Sequence, residues 1–154
     1  MPENTPSLSS IELPATGDRA LKLADFKGKP LVVYFYPRDN TPGCTKQGQD
    51  FREHYPEFQA QDCEILGVSR DTVASHEKFA AKQAFPFPLL ADTEEKLCRE
   101  FDVMKEKNMY GKKVMGIERS TFLFNSEGEL VKEWRKVRVP MHVEEVLEAV
   151  RNLS

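Results

Sequence analysis

The chain has 154 residues and a net charge of −3, with 40% of its residues hydrophobic and 31% charged. That length suits one domain with a proper core, and the composition is ordinary for a soluble globular protein. The mild acidity offers no footprint for nucleic acid or a membrane surface as partner. No run approaches the ~20 apolar residues of a membrane span. The start, Met1-Pro2-Glu3-Asn4-Thr5-Pro6, lacks the basic and apolar regions of a signal peptide, so a cytoplasmic protein is expected.

Residues 1–10 are rich in Pro and Ser and are expected to be loosely ordered, leaving 11–154 as a single domain. Between Ile11 and Leu23, Pro14 and the turn Thr16-Gly17-Asp18 predict a short hairpin ahead of the core. Leu31-Val32-Val33-Tyr34-Phe35-Tyr36 has no polar alternation, which predicts a central strand covered on both faces. A helix over about 43–60 follows, with Gly48, Phe51, Tyr55 and Phe58 on one side and Pro56 expected to kink or break it. Glu64–Ser69 is the second core strand. The next helix, near 73–84, carries Val73, His76, Phe79 and Ala80 on one side.

Pro86 to Leu90 gives a short extended segment, and Asp92-Thr93 caps a helix holding Leu97, Cys98 and Phe101. The basic stretch 104–118, with Gly111 and Gly116, is expected to be a long surface loop. Ser120–Phe124 and Leu130–Trp134 flank the turn Asn125-Ser126-Glu127-Gly128, a hairpin signal. Val143, Val146, Leu147 and Val150 then mark the buried stripe of a final helix. Two βα crossovers require parallel strands, whereas the late hairpin is antiparallel. The order predicts an α/β, thioredoxin-like fold: a mixed central β-sheet with helices on both faces and an N-terminal β-hairpin extension.

Cys44 follows the first core strand and the turn-forming run Pro37-Arg38-Asp39-Asn40-Thr41-Pro42-Gly43, at the start of a helix. Unpaired backbone N–H groups and the helix dipole stabilise an anion there, so the position suits a thiolate nucleophile. A buried structural cysteine is the alternative. Cys44, Cys63 and Cys98 form an odd, sparse set that fits reduced thiols better than a disulfide scaffold. No C-x-x-C is present, and His54, His76 and His142 fall at no ligand-like interval from the cysteines. No metal site or cofactor is therefore expected.

The segment Tyr34-Phe35-Tyr36-Pro37-Arg38-Asp39-Asn40-Thr41-Pro42-Gly43-Cys44-Thr45 closely resembles the peroxidatic-cysteine loop of peroxiredoxins, in particular the bacterioferritin-comigratory-protein (PrxQ) subfamily. Gly67-Val68-Ser69-Arg70-Asp71, Phe87-Pro88-Leu89-Leu90-Ala91-Asp92, Met109-Tyr110-Gly111-Lys112 and Gly116-Ile117-Glu118-Arg119-Ser120-Thr121-Phe122 resemble the same subfamily in the same order. The resemblance implies an antioxidant peroxidase of the thioredoxin-dependent type. It would reduce hydrogen peroxide and organic hydroperoxides through a sulfenic acid on Cys44, the redox-active centre.

The family motif Pro-x-x-x-Thr-x-x-Cys falls on Pro37, Thr41 and Cys44, and the family's active-site arginine falls on Arg119. Arg119 would stabilise the thiolate and the leaving oxygen with a permanent cation, and Thr41 would hydrogen-bond the peroxide; Pro37, lacking an N–H, would fix the loop. Read alone, Arg119 also fits a surface ion pair, Thr41 a helix N-cap, and Gln47 either the arginine network or a solvated position.

Members of this subfamily often carry a resolving cysteine, and both places for it are empty here: one is Gln49, the other falls near Ala80. Whether Ala80 is natural or an engineered replacement is open. Without a resolver, the oxidised cysteine would be cleared by an external thiol, namely thioredoxin, glutaredoxin or glutathione. Cys63 and Cys98 look like small buried hydrophobes but remain substitutes for that role. The resemblance also implies a monomer. Two other readings stand beside it: a disulfide reductase, which lacks its C-x-x-C because Thr41 occupies the first position, and a non-enzymatic peroxide sensor or binding module on the same scaffold. The basic loop at Lys105–Lys113 is either an approach to the active site or a plain solvated loop.

Overall fold

The computed structural model describes residues 7–153. A seven-stranded sheet forms its centre, in the order β2-β1-β5-β4-β3-β8-β9. The strands are β1 (Leu13–Ala15), β2 (Arg19–Leu21), β3 (Leu31–Phe35), β4 (Glu64–Ser69), β5 (Leu89–Ala91), β8 (Ser120–Phe124) and β9 (Leu130–Trp134). β3, β4 and β5 run parallel, and β1, β8 and their hairpin partners add on antiparallel at either side. The helices are α1 (Pro42–Ala60), α2 (Val73–Gln83), α3 (Lys96–Glu100) and α4 (His142–Arg151). The expected thioredoxin-like mixed sheet with an N-terminal hairpin is observed.

β3 is apolar at every position because both its faces are covered. Leu31, Val33 and Phe35 enter one core layer, with Leu97, Cys98 and Phe101 around α3. Val32 and Tyr34 enter the other layer, against Phe51 and Phe58 of α1, Phe79 of α2 and the valines of α4. The helices therefore divide three to one: α1, α2 and α4 on one face, α3 on the other.

Two expectations are corrected. The 104–118 stretch is a hairpin, β6 (Met104–Met109) paired with β7 (Lys112–Ile117), and not a loop. Tyr110 and Gly111 form its two-residue turn, with φ of 55° and 80°, as a tight hairpin of this twist requires. The ribbon leaves the core, so it needs no alternation of apolar residues, and Met104, Gly116 and Ile117 at its base are buried. Pro56 does not end α1, which continues to Ala60. Phe51 and Phe58, both fully buried, pin the helix on either side of it, and Pro56 is exposed, where water can serve the carbonyl left without a donor.

Of the N-terminal segment expected to be loosely ordered, residues 1–6 lie outside the described residues. Ser9, by contrast, is buried; its hydroxyl donates to Glu100 at 2.8 Å, and its carbonyl accepts from the Ala24 N–H at 3.0 Å. No helix among the described residues is long and apolar enough to cross a membrane.

Candidate active site

The ladder between β3 and β4 runs one residue past β3, where the Tyr36 N–H donates to the Val68 carbonyl at 3.0 Å. The chain then turns; Asn40 takes a left-handed φ of 60°, a conformation asparagine tolerates. Thr41 is the N-cap of α1 and Pro42 its first residue, where a missing N–H costs nothing. The first helical bond runs from the Thr45 N–H to the Thr41 carbonyl at 2.8 Å. The N–H groups of Gly43 and Cys44 precede it and have no acceptor within the helix, so the positive end of the helix dipole surrounds Cys44. The cysteine is only 2% exposed, within the core layer that holds Tyr34 and Tyr36.

The antiparallel register sets Ser120 opposite Phe35. The residue before β8 therefore lies at the carboxyl end of β3, beside the start of α1. That residue is Arg119. Its Nη2 donates to Cys44 Sγ at 3.4 Å and its Nη1 to Gln47 Oε1 at 2.7 Å. Gln47 is fully buried, which resolves the choice between a solvated helix position and the arginine network. A Cβ on Gly43 would sit 3.0 Å from Arg119 Nη2, so glycine is what lets the guanidinium close over the helix start. Arg119 is no surface ion-pair residue.

The hairpin brings a second cation to this end of the sheet. Lys107 is half-buried, and its Nζ donates to the Ile117 carbonyl at 2.6 Å. Burial and then the Arg119 guanidinium push its ammonium below the usual lysine range, with Cys44 opposing. Burial, followed by the nearby Cys44 and Asp39, pushes the Tyr34 phenol well above its usual value of 10, so it stays protonated at neutral pH.

Thr41 occupies the N-cap position, but its hydroxyl makes no capping bond; it donates to the Arg38 carbonyl at 2.9 Å. Pro37 is half-buried where the loop leaves the sheet. The other two cysteines stand apart. Cys98 belongs to the opposite core layer, so the sheet separates it from Cys44. Cys63 precedes β4, at the far end of the parallel pair; five residues of strand put it about 15 Å away. Burial and then Glu64 push the Cys63 thiol up to about 12, and burial with Asp92 pushes that of Cys98 higher.

A cluster the sequence reading missed lies behind the loop. Asp39 Oδ1 accepts from the Tyr36 hydroxyl at 2.6 Å, and its Oδ2 lies 2.7 Å from Ser75 Oγ and 2.8 Å from His76 Nδ1. The Asp39 N–H donates to Asp71 at 2.8 Å. Asp39, Asp71 and His76 place potential ligand atoms within 4.8 Å of one another, but hydrogen bonds already engage them. The helical spacing of His76 put it on an apolar side, and nothing in the sequence pairs it with Asp39.

A family model described as AhpC/TSA matches residues 6–133. Peroxiredoxin Bcp of Xanthomonas campestris is 55% identical over 141 residues, covering 92% of this chain and 88% of that protein. The chain belongs to the AhpC/TSA family as a peroxiredoxin. Peroxiredoxin Bcp of Bacillus subtilis is 50% identical over 144 residues, 94% of this peroxiredoxin and 92% of that one. Among solved structures, Xanthomonas campestris peroxiredoxin Q superposes with a TM-score of 0.89 at 54% identity, covering 93% of this chain and 90% of that one. The bacterioferritin comigratory protein of the same organism, studied for alkyl peroxide reduction through trapped intermediate and ligand complexes, gives 0.88 at 54% identity, covering 92% and 90%. The peroxiredoxin described here is a thiol-dependent peroxidase.

Proposed function

We propose that Cys44 is the peroxidatic nucleophile for hydrogen peroxide and organic hydroperoxides, and that an external thiol restores it. The observation that carries this is the buried Cys44 sulfur at a helix start with the Arg119 guanidinium 3.4 Å away. The thiolate attacks one peroxide oxygen, forming an S–O bond as the O–O bond breaks. The leaving oxygen takes a proton and departs as water or an alcohol, and Cys44 becomes a sulfenic acid. Negative charge moves from sulfur to the leaving oxygen along the way. Arg119 holds its cation beside the starting anion and has further N–H donors for the departing one. The Thr41 hydroxyl donates its hydrogen bond to the Arg38 carbonyl, which leaves its oxygen free to accept from the peroxide. Pro37 fixes the loop's exit from the sheet.

The second half-reaction uses two external thiols: the first displaces water from the sulfenic acid to give a mixed disulfide, and the second releases Cys44. Two solved forms of the Xanthomonas protein each carry serine in place of a different cysteine, and the spacing between those two, counted forward from Cys44, reaches Ala80. With Cys63 and Cys98 both remote, this points to a one-cysteine cycle dependent on thioredoxin, glutaredoxin or glutathione. Because the sulfur is buried, the first turn of α1 must open before a bulky thiol reaches it. The unpaired state of all three cysteines supports a reducing, cytoplasmic setting, and the few exposed large apolar side chains support a monomer.

The test is turnover of peroxide with each thiol in cysteine variants. Cys44→Ser abolishes turnover with the fold intact, whereas Cys63→Ser and Cys98→Ser retain most of it. Loss of turnover in Cys98→Ser with fast initial oxidation preserved would instead make Cys98 the resolver.

A further inference from the structure

The loop over residues 37–41 delivers Thr41 and Cys44 to the site, and Asp39 fastens it to α2. The histidine at the other end of that tie has both ring nitrogens engaged. His76 Nε2 lies 2.9 Å from the Leu90 carbonyl, which has lone pairs and no proton, so Nε2 carries one. Nδ1 lies 2.8 Å from Asp39 Oδ2, within hydrogen-bond distance. His76 is thus a rigid bridge with β5 at one end and the active-site loop at the other. It is fully buried. An apolar residue at this helix position would pack with no desolvation cost, and buried ionic pairs add little net stability. Positioning explains the histidine better than stability does. A cleft of about 380 Å³ lined by Asp39, Asn40, Ser75, Lys78, Phe79 and Lys82 runs along the same seam, so continuous apolar packing does not hold the loop there.

We propose that His76 is a positioning residue for the peroxide step. Through its hydrogen bond to Asp39 it holds the 37–41 loop in the closed geometry that presents Cys44 to peroxide. Releasing that bond favours the open form from which an external thiol reduces the sulfur. The proposal rests on the role assigned to Cys44 above.

Two substitutions separate the two ends of the bridge. An asparagine amide reaches the place of Nδ1, and a glutamine amide the place of Nε2. In His76→Asn the loop keeps its hydrogen-bond partner, and in His76→Gln only the tie to Leu90 survives. Stopped-flow measurement gives the rate of Cys44 oxidation by hydrogen peroxide and, separately, the rate at which dithiothreitol reduces the preformed sulfenic acid. The expected result is near-native oxidation in His76→Asn. In His76→Gln oxidation slows by about tenfold or more, with reduction unslowed or faster. Asp39→Asn, which alters the loop end and leaves α2 intact, shows the same split and serves if the histidine variants fold poorly.

The reverse order, with glutamine active and asparagine slow, would mean that His76 only anchors α2 to β5 and would overturn the proposal. So would equal rates in both variants, or a parallel loss of both half-reactions. Native protein that fails to react quickly at Cys44 would overturn the reading of Cys44 first, and this inference with it.

Discussion

At the scale of single residues, the site depends on one fork-shaped cation reaching two partners. Arg119→Lys keeps the charge but cannot span Cys44 Sγ and Gln47 Oε1 together. Its second-order rate with hydrogen peroxide is expected to fall by about 100-fold, the scale of losing a preorganised donor in the transition state; a rate within threefold of native would remove Arg119 from the account. Gly43→Ala, which places a methyl group 3.0 Å from Arg119 Nη2, is expected to slow the same step without changing the melting temperature appreciably. Cys44, Thr41, Pro37 and Arg119 are proposed from motif order, and the strand–turn–helix around Cys44 adds a local physical signal for that residue. Arg119 lies 75 positions further on, and only the register of β3 against β8 explains why they meet. The Asp39–His76 tie carried no pattern, because it joins residues distant in sequence, whereas Lys107 lies in the basic stretch 105–113 that offered an approach to the active site as one of its two readings.

At the scale of elements, Gly48 is where sequence and structure give different reasons for one residue. As a helix residue it reads as a weak point. In the structure a Cβ there would lie 2.3 Å from Cζ of Phe85, so glycine admits that ring against α1. Gly48→Ala therefore overpacks the seam despite alanine's better helix propensity. Denaturant unfolding is expected to show a loss of about 1–3 kcal/mol, and a gain in stability would show that Phe85 moves aside freely. The strands and long helices were predictable because burial on both faces removes polar residues from β3 and stripes α4. The β6–β7 ribbon was not, because a hairpin outside the core has no apolar face to reveal it. Pro56 does not break α1 for the converse reason: packing by Phe51 and Phe58 overrides the local preference to end the helix there.

At the scale of the whole molecule, acid stability connects the late hairpin and α4 to the site. His142 is buried against Trp134, its Nε2 2.8 Å from the Thr121 hydroxyl. Burial, and then Arg119, lower its pKa from 6.5 to about 4. The unfolded chain therefore takes up a proton below pH 6.5 that the folded protein refuses until about pH 4. Folding stability is full above that window and falls as the pH drops through it, by up to about 3 kcal/mol from this group. His142→Gln, with no ionising ring, is expected to lose less stability between pH 7 and 4.5 than the native protein; an identical decline would place the acid sensitivity elsewhere.

The most direct test of the one-cysteine peroxidase is intact-protein mass spectrometry on fully reduced protein after one equivalent of hydrogen peroxide, with and without a sulfenic-acid trap. The account predicts a trap adduct that maps to Cys44, with no loss of two hydrogens. Loss of two hydrogens without an adduct would mean an internal disulfide and would contradict the dependence on an external thiol, and no rapid modification at all would contradict the role of Cys44.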